Sequence, residues 1–180
     1  MAKSKLTNVQ QTAEHYGKLI VERAQLELGT KRSQKSNNPR GRNFSGRKVS
    51  SGNLRKSLSF ILKSQKGKFS MSFGAKGTAS AYAYNVHNGR KRGSQPPSHE
   101  LVAWLKRRGY RAKDPKTGAF KETKDYHYKG MAYVIARSIG KYGIKEFPYY
   151  TMALKKYDTQ ITDALLKAVE LDVEIEFKDL

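Results

Sequence analysis

Cysteine is absent from the sequence. Disulfides, thiolate nucleophiles and cysteine-based zinc sites are thereby excluded, leaving a chain suited to a reducing compartment. Long apolar runs are missing as well. No stretch approaches the ~20 residues of a membrane-spanning helix, and Met1 is not followed by the apolar core of a signal peptide. The expectation is a soluble chain with no membrane partner. Paired metal ligands are also lacking, because His15, His87, His99 and His127 are scattered. Gly41 and Gly46 lie in an Arg-rich stretch without the strand and helix that a phosphate loop needs. Only Asp172, Glu174 and Glu176 stand at close intervals, and acids spaced that way read as a solvated or partner-facing edge sooner than a metal site. The residues point away from an enzyme, with no cofactor, metal or catalytic group expected.

Acid is scarce overall: 15 Asp+Glu face 36 Lys+Arg, a net charge of +21. Such a field attracts polyanions and repels copies of itself at low salt. The imbalance is uneven. Residues 158–180 hold seven acids against Lys167 and Lys178, a net of −5, which leaves +26 on the remainder. Apolar residues make up 37% of the chain and charged ones 28%, so part of it is expected to lie outside any monomeric core.

Helical periodicity is clearest at the start, where Val9, Ala13, Tyr16, Ile20 and Ala24 form one stripe widened by Leu19, Leu26 and Leu28. Thr7 is placed to cap that helix and Gly29 to end it. Residues 30–53 then run rich in Lys, Arg, Ser, Asn and Gly, an extended basic arm. Its cations Lys31, Arg32, Arg40, Arg42, Arg47 and Lys48 are candidates for electrostatic contact with DNA or an acidic ring. Segments 59–64 and 68–74, split by Gln65-Lys66-Gly67, read as a hairpin. Further helices are expected from about Ser98 (as N-cap) to Gly109, over Tyr128–Lys141, and from about Tyr150 to Val169 with Leu154, Ile161, Leu165 and Val169 inward. Asp114-Pro115-Lys116-Thr117-Gly118 marks a turn between possible short strands. Residues 171–177 (LDVEIEF) alternate apolar and acidic, which predicts a terminal strand. Its Leu171, Val173, Ile175 and Phe177 are candidates for pairing between subunits. The expected fold is α+β in a single domain over 1–180. A small antiparallel sheet, made of the hairpin near 59–74 and the C-terminal strand, would pack on N-terminal, central and C-terminal helices.

Eleven tyrosines, nine of them from Tyr82 to Tyr150, suit a core or a subunit interface. The order of short motifs adds to this. Ser51-Gly52-Asn53-Leu54-Arg55-Lys56-Ser57 precedes the hairpin, and Ala81-Tyr82-Ala83-Tyr84-Asn85-Val86-His87-Asn88-Gly89 follows it. Then come Gln95-Pro96-Pro97, LVAWLKRRG over Leu101–Gly109, Ala132–Gly143, and Phe147-Pro148-Tyr149-Tyr150-Thr151-Met152-Ala153-Leu154. This series resembles the tail-completion or head–tail connector (neck) proteins of long-tailed bacteriophages over roughly residues 7–170. His87 departs from it, since an acid often follows the valine in that family.

The resemblance implies an α+β virion protein, not an enzyme, built into a homo-oligomeric ring on the portal–tail axis. Six copies are favoured, with twelve as the other option. The ring would join the filled head to the tail beside adjacent neck, connector and tail-tube proteins, with packaged DNA passing its channel. The location would be the virion neck, reached from the host cytoplasm during assembly. A nonspecific nucleic-acid-binding protein is the alternative, and behind it stand a tail terminator ring and a small nuclease.

Overall fold

Small residues on one face of the first helix set the packing of much of the chain. The computed structural model describes residues 7–39, 41, 43–46, 51–65, 68–114 and 116–178, with backbone alone at residue 44 and residues 173–178. Helix α1 spans Thr7–Gly29, followed by strands β1 (Arg32–Gln34) and β2 (Phe44–Gly46). Next come α2 (Asn53–Ser57), β3 (Leu58–Gln65), β4 (Lys68–Ala75) and a 3-10 turn over Gly77–Ala79. Helices α3 (Ser80–Asn88), α4 (Ser98–Arg107), α5 (Asp125–Tyr142) and α6 (Tyr149–Lys178) complete the order. Each sheet among the described residues is a two-stranded antiparallel ribbon, β1–β2 or β3–β4, so the chain is α+β and mainly helical. Internal contacts divide it into two units, residues 1–30, 53–83 and 148–180 in the first, 31–52 and 84–147 in the second.

The first unit is built on α1 and α6. Val9, Ala13, Gly17, Ile20, Ala24 and Leu28 face inward along α1 at three- and four-residue steps. Ala153, Ile161, Leu165, Ala168 and Asp172 continue an inward stripe along α6. Asp172 meets the start of α1, and Tyr157 meets Tyr16 with ring centroids 6.4 Å apart, so the two helices run antiparallel. Side chains as small as alanine and glycine let the helices approach closely, and each large side chain fully buried there, such as Ile20 or Leu28, contributes about 1.5–3 kcal/mol. Glu27 is buried with its charge met by Arg23 at 2.8 Å.

The β3–β4 hairpin covers the other side of α1. Its register pairs Phe60 with Phe73 and Gln65 with Lys68, so Gln65, expected in the turn, belongs to β3, and residues 66–67 lie outside the described residues. Phe60 fits over Gly17, where a Cβ would stand 2.5–2.7 Å from the ring. Tyr150 locks the hairpin to α6. Its hydroxyl lies 2.7 Å from the Gly74 carbonyl and 3.1 Å from that of Ser59, and its ring packs 5.3 Å from Phe73.

Two expectations fail in this unit. Leu171, Val173, Ile175 and Phe177 do not form a strand: they belong to α6, which runs without a break to Lys178. The LDVEIEF alternation fits a strand locally. The helical stripe of the preceding turns nevertheless carries on, four residues from Ala168 to Asp172, and extending an existing helix costs far less than starting a new element. The carboxylate of Asp172 then fixes the outcome. It accepts hydrogen bonds from the backbone of Asn8 (3.1 Å) and Val9 (3.0 Å) and from Asn8 Nδ2 (2.8 Å). The cap expected from Thr7 alone is thus supplied from the far end of the chain, Thr7 being the first helical residue. The inner stripe of α6 keeps the expected Ile161 and Leu165 in its middle, but at its two ends Ala153 and Ala168 take the inward places expected of Leu154 and Val169.

In the second unit, α4 and α5 pack together through Leu105, Ala132 and Ala136. Ser98 opens α4 as its first helical residue, with Pro97 in the capping place. Residues 89–91 lie against 143–145 as a two-residue bridge, Arg90 and Ile144 exchanging N–H···O bonds of 2.8 Å in both directions. Glycine is obligatory at this crossing. Gly143 has φ 73° and ψ −168°, a region closed to other residues, and a Cβ on it would overlap the Arg90 carbonyl oxygen.

Candidate functional site

Charge separates the two units. The second holds twenty-two Lys/Arg and five Asp/Glu, a net of +17, which leaves +4 of the total +21 on the first. The candidate site is therefore a cationic surface of the second unit, and the question is how its elements hold the cations.

Part of the basic arm lies within the described residues. β1 and β2 pair Arg32 with Gly46 and Gln34 with Phe44, and Ser36 N–H donates to Asn43 Oδ1 at 3.2 Å across the connecting loop. The ribbon is moored to the end of α5: Gln34 Nε2 donates to the Glu146 carbonyl at 2.6 Å and Asn37 Nδ2 to that of Tyr142 at 3.4 Å. Between them lies a cavity of about 190 Å³ bordered by residues 34–38, Ser138 and residues 142–145. Lys31 and Arg32 are exposed at the head of this ribbon. Arg40, Arg42, Arg47 and Lys48 lie outside the described residues. Leu171 is exposed on α6, and nothing places it in a shared strand with Val173, Ile175 and Phe177.

A second group of cations escaped the sequence reading. After α4 the chain turns back on itself. Lys113 and Phe120 form a bridge, Asp114 N–H donates to the Ala119 carbonyl (2.8 Å), and Lys121 N–H donates to that of Ala112 (3.1 Å). The tip is tied by Asp114, whose carboxylate accepts from Lys116 N–H (2.8 Å) and Thr117 N–H (3.0 Å). Those bonds hold its carboxyl below the ordinary aspartate value. Strand alternation sends Ala112 inward and Arg111 and Lys113 outward. Both outward cations sit over the Phe120 ring, Arg111 at 4.6 Å and Lys113 at 4.7 Å, although that ring is 55% exposed. Beside this turn Arg108 stands 5.9 Å over Trp104, and Lys106 lies 5.3 Å from Tyr128 and 2.9 Å from Asp125. The turn signal at 114–118 was legible. The pairing that gathers 111, 113 and 120 on one face was not, because it needs the register.

Elsewhere in the unit, His87 on α3 has its pKa lowered by burial, an effect partly offset by Glu146. The outer face of α5 carries Tyr126, Tyr133 and Val134, all more than half exposed, beside Arg137 and Lys141. The tyrosines thus divide. Tyr149 and Tyr150 are core, and burial pushes the Tyr149 hydroxyl up to about 12, whereas Tyr82, Tyr84, Tyr126 and Tyr133 face outward.

Among the described residues no group of three or more His, Asp or Glu is placed to hold a metal ion, and no helix is long and apolar enough to cross a membrane. The described residues form an α+β chain that exposes cations and aromatic rings on its second unit. No known family profile, no curated protein and no solved structure matches it.

Proposed function

We propose that this chain is a structural subunit of a tailed-bacteriophage neck. One copy sits in a ring that completes the tail and joins it to the filled head, without catalytic activity. One observation supports the reading: each of the longer motifs that resemble the neck family places at least one residue in the buried core. Leu54 of the Gly-Asn-Leu-Arg-Lys-Ser segment, Ala83 of the Ala-Tyr-Ala element and Leu105 of the Trp-containing helix are buried. So are Ala132 and Ala136 ahead of Gly143, and Phe147, Tyr149, Tyr150 and Ala153 of the last motif.

In this reading the ring contact is helical rather than a shared strand. The outer face of α5 offers Tyr133 and Val134, 52% and 59% exposed, in a setting of aromatic, apolar and Arg residues that subunit interfaces favour. The basic arm, with Lys31, Arg32, Arg40, Arg42, Arg47 and Lys48, faces the polyanion of the passage or an acidic neighbouring ring. Native mass spectrometry at moderate and high salt, with and without tail particles, tests the proposal. The expected result is a discrete ring, six copies favoured, formed alone or on tails, and a folded monomer for the Tyr133→Glu/Val134→Glu variant. A chain that stays monomeric under every condition and does not associate with tails overturns the reading.

A further inference from the structure

We infer that the turn over residues 111–121 is a binding site for an unpaired nucleic-acid strand, with Phe120 as the stacking platform and Arg111 and Lys113 as phosphate contacts. This goes beyond the ring reading and stands without it. The argument begins with what the turn does with Phe120. A large apolar ring on a two-residue bridge would gain by folding inward, as Ala112 does on the opposite face. Instead it remains 55% exposed, with a guanidinium and an ammonium held 4.6 and 4.7 Å over it.

Positive charge predominates around the ring, although Glu122 follows two residues after Phe120. Residues 106–121 hold seven Lys/Arg and a single acid, Asp114. That acid is engaged with the backbone of its own turn through Lys116 and Thr117. The outward face therefore presents one exposed ring together with two cations held over it. A nucleic-acid strand alternates phosphate and planar base, so both of its repeating groups find a partner, the base on an aromatic face and the phosphates on flanking cations. A duplex offers the phosphates but keeps its bases stacked on one another. An acidic protein segment offers carboxylates with no ring in each repeat. The ring is what favours the unpaired strand over both. With no hydrogen-bonding group fixed on a base edge, the contact would be indifferent to sequence.

Fluorescence anisotropy on the full chain tests this, with labelled oligothymidylate, a duplex of equal length and polyglutamate as the three probes, each over a salt series. Phe120→Ala should weaken oligothymidylate binding roughly tenfold while changing duplex and polyglutamate binding less than about twofold, because only an unpaired base can stack. Phe120→Trp should preserve it. Arg111→Ala/Lys113→Ala should lower the slope of log affinity against log salt on the single strand by roughly 1.4, about 0.7 for each phosphate no longer neutralised. Lys155→Ala/Lys156→Ala, at exposed cations of α6, provides the control for net charge and should leave that slope near the parent value. No effect of Phe120→Ala, an equal loss on all three probes, or a control variant that matches Arg111→Ala/Lys113→Ala would each overturn the site. None of these outcomes bears on ring formation, which is read separately by mass.

Discussion

Replacing Asp172 with alanine removes the one carboxylate on which three hydrogen bonds at the start of α1 converge. The backbone N–H groups of Asn8 and Val9 have no carbonyl within their own helix to take them, as at any helix N-terminus. Losing a side-chain cap costs about 1–2 kcal/mol, and stranding the buried Val9 N–H costs about 1–3 kcal/mol; the two overlap, so the total is about 2–4 kcal/mol. A chain of this length loses about 2–4 °C of Tm per kcal/mol, which puts Asp172→Ala about 4–16 °C below the parent. Asp172→Asn keeps one acceptor oxygen but gives up the negative charge at the positive end of the α1 dipole, and should lie between the two.

The effect also depends on pH, in a definite direction. Burial pushes the Asp172 carboxyl up, but the hydrogen bonds from Val9 and Asn8 outweigh it and hold the folded value below the ordinary one. A depressed carboxyl contributes its stability above the unfolded pKa and loses it as pH falls through the folded one. The gap between parent and variants should therefore be full at neutral pH and close as the solution is acidified below the ordinary aspartate range. Urea unfolding followed by far-UV circular dichroism across pH gives the gap, and hydrogen exchange at the Val9 amide gives the local protection. An Asp172→Ala protein within about 0.5 kcal/mol of the parent at neutral pH, or an unchanged Val9 exchange rate, refutes the capping argument.

Gly143→Ala places a Cβ on the Arg90 carbonyl oxygen in a region of φ and ψ reserved for glycine, so a loss of about 3 kcal/mol or more is expected in denaturant unfolding, with exchange opening first at the Arg90 and Ile144 amides. Tyr150→Phe removes the hydroxyl shared by the Gly74 and Ser59 carbonyls and should cost about 1–2 kcal/mol, read from the same urea midpoints. His87 has a lowered folded pKa, so the unfolded chain takes up a proton first and stability falls as pH drops from about 6.5 through the folded value; His87→Gln should flatten that decline in midpoints measured between neutral and mildly acidic pH.

Local pattern told most where burial and periodicity agree. The α1 stripe from Val9 to Ala24 and the alternation at Phe69, Met71 and Phe73 predict their elements because one face of α1 is buried and one face of β4 is half-buried along its length. Leu26 shows the limit, being apolar and yet 51% exposed at the edge of that stripe. Small residues mislead more. Ala153 and Ala168, not Leu154 and Val169, face α1, because close helix approach selects for size before hydrophobicity. Residues 171–177 mislead most, since a two-residue period of apolar and acidic side chains satisfies a strand locally, and only a partner 163 residues away in sequence, Val9, shows why the helix persists. Segment 80–88, rich in tyrosine and alanine, carries no decisive period, yet it forms α3. The candidate site was legible as charge and not as geometry. Lys31 and Arg32 stand out by composition, whereas Arg111, Lys113 and Phe120 become a group only once the bridge at Lys113 and Phe120 sets the register.

Where the countercharge comes from is the question the fold poses most sharply. The second unit concentrates a net +17 while the first carries +4, and burial does not explain the difference, because its described lysines and arginines are exposed, with Arg90 alone half-buried. Like charges at this density raise the free energy of a compact unit, a cost relieved only by salt or by a bound polyanion. A surface kept for monomeric solubility would intersperse acids with its bases, as the α6 segment does with Asp158, Asp163 and Glu170 beside Lys155, Lys156 and Lys167. The second unit instead uses its nearest acids locally, Asp114 on its own turn and Asp125 on Lys106, leaving positive charge in large excess at the surface. Contact with a polyanion lowers the free energy of such a unit, which is the countercharge that the proposed neck ring, with DNA in its channel, would supply.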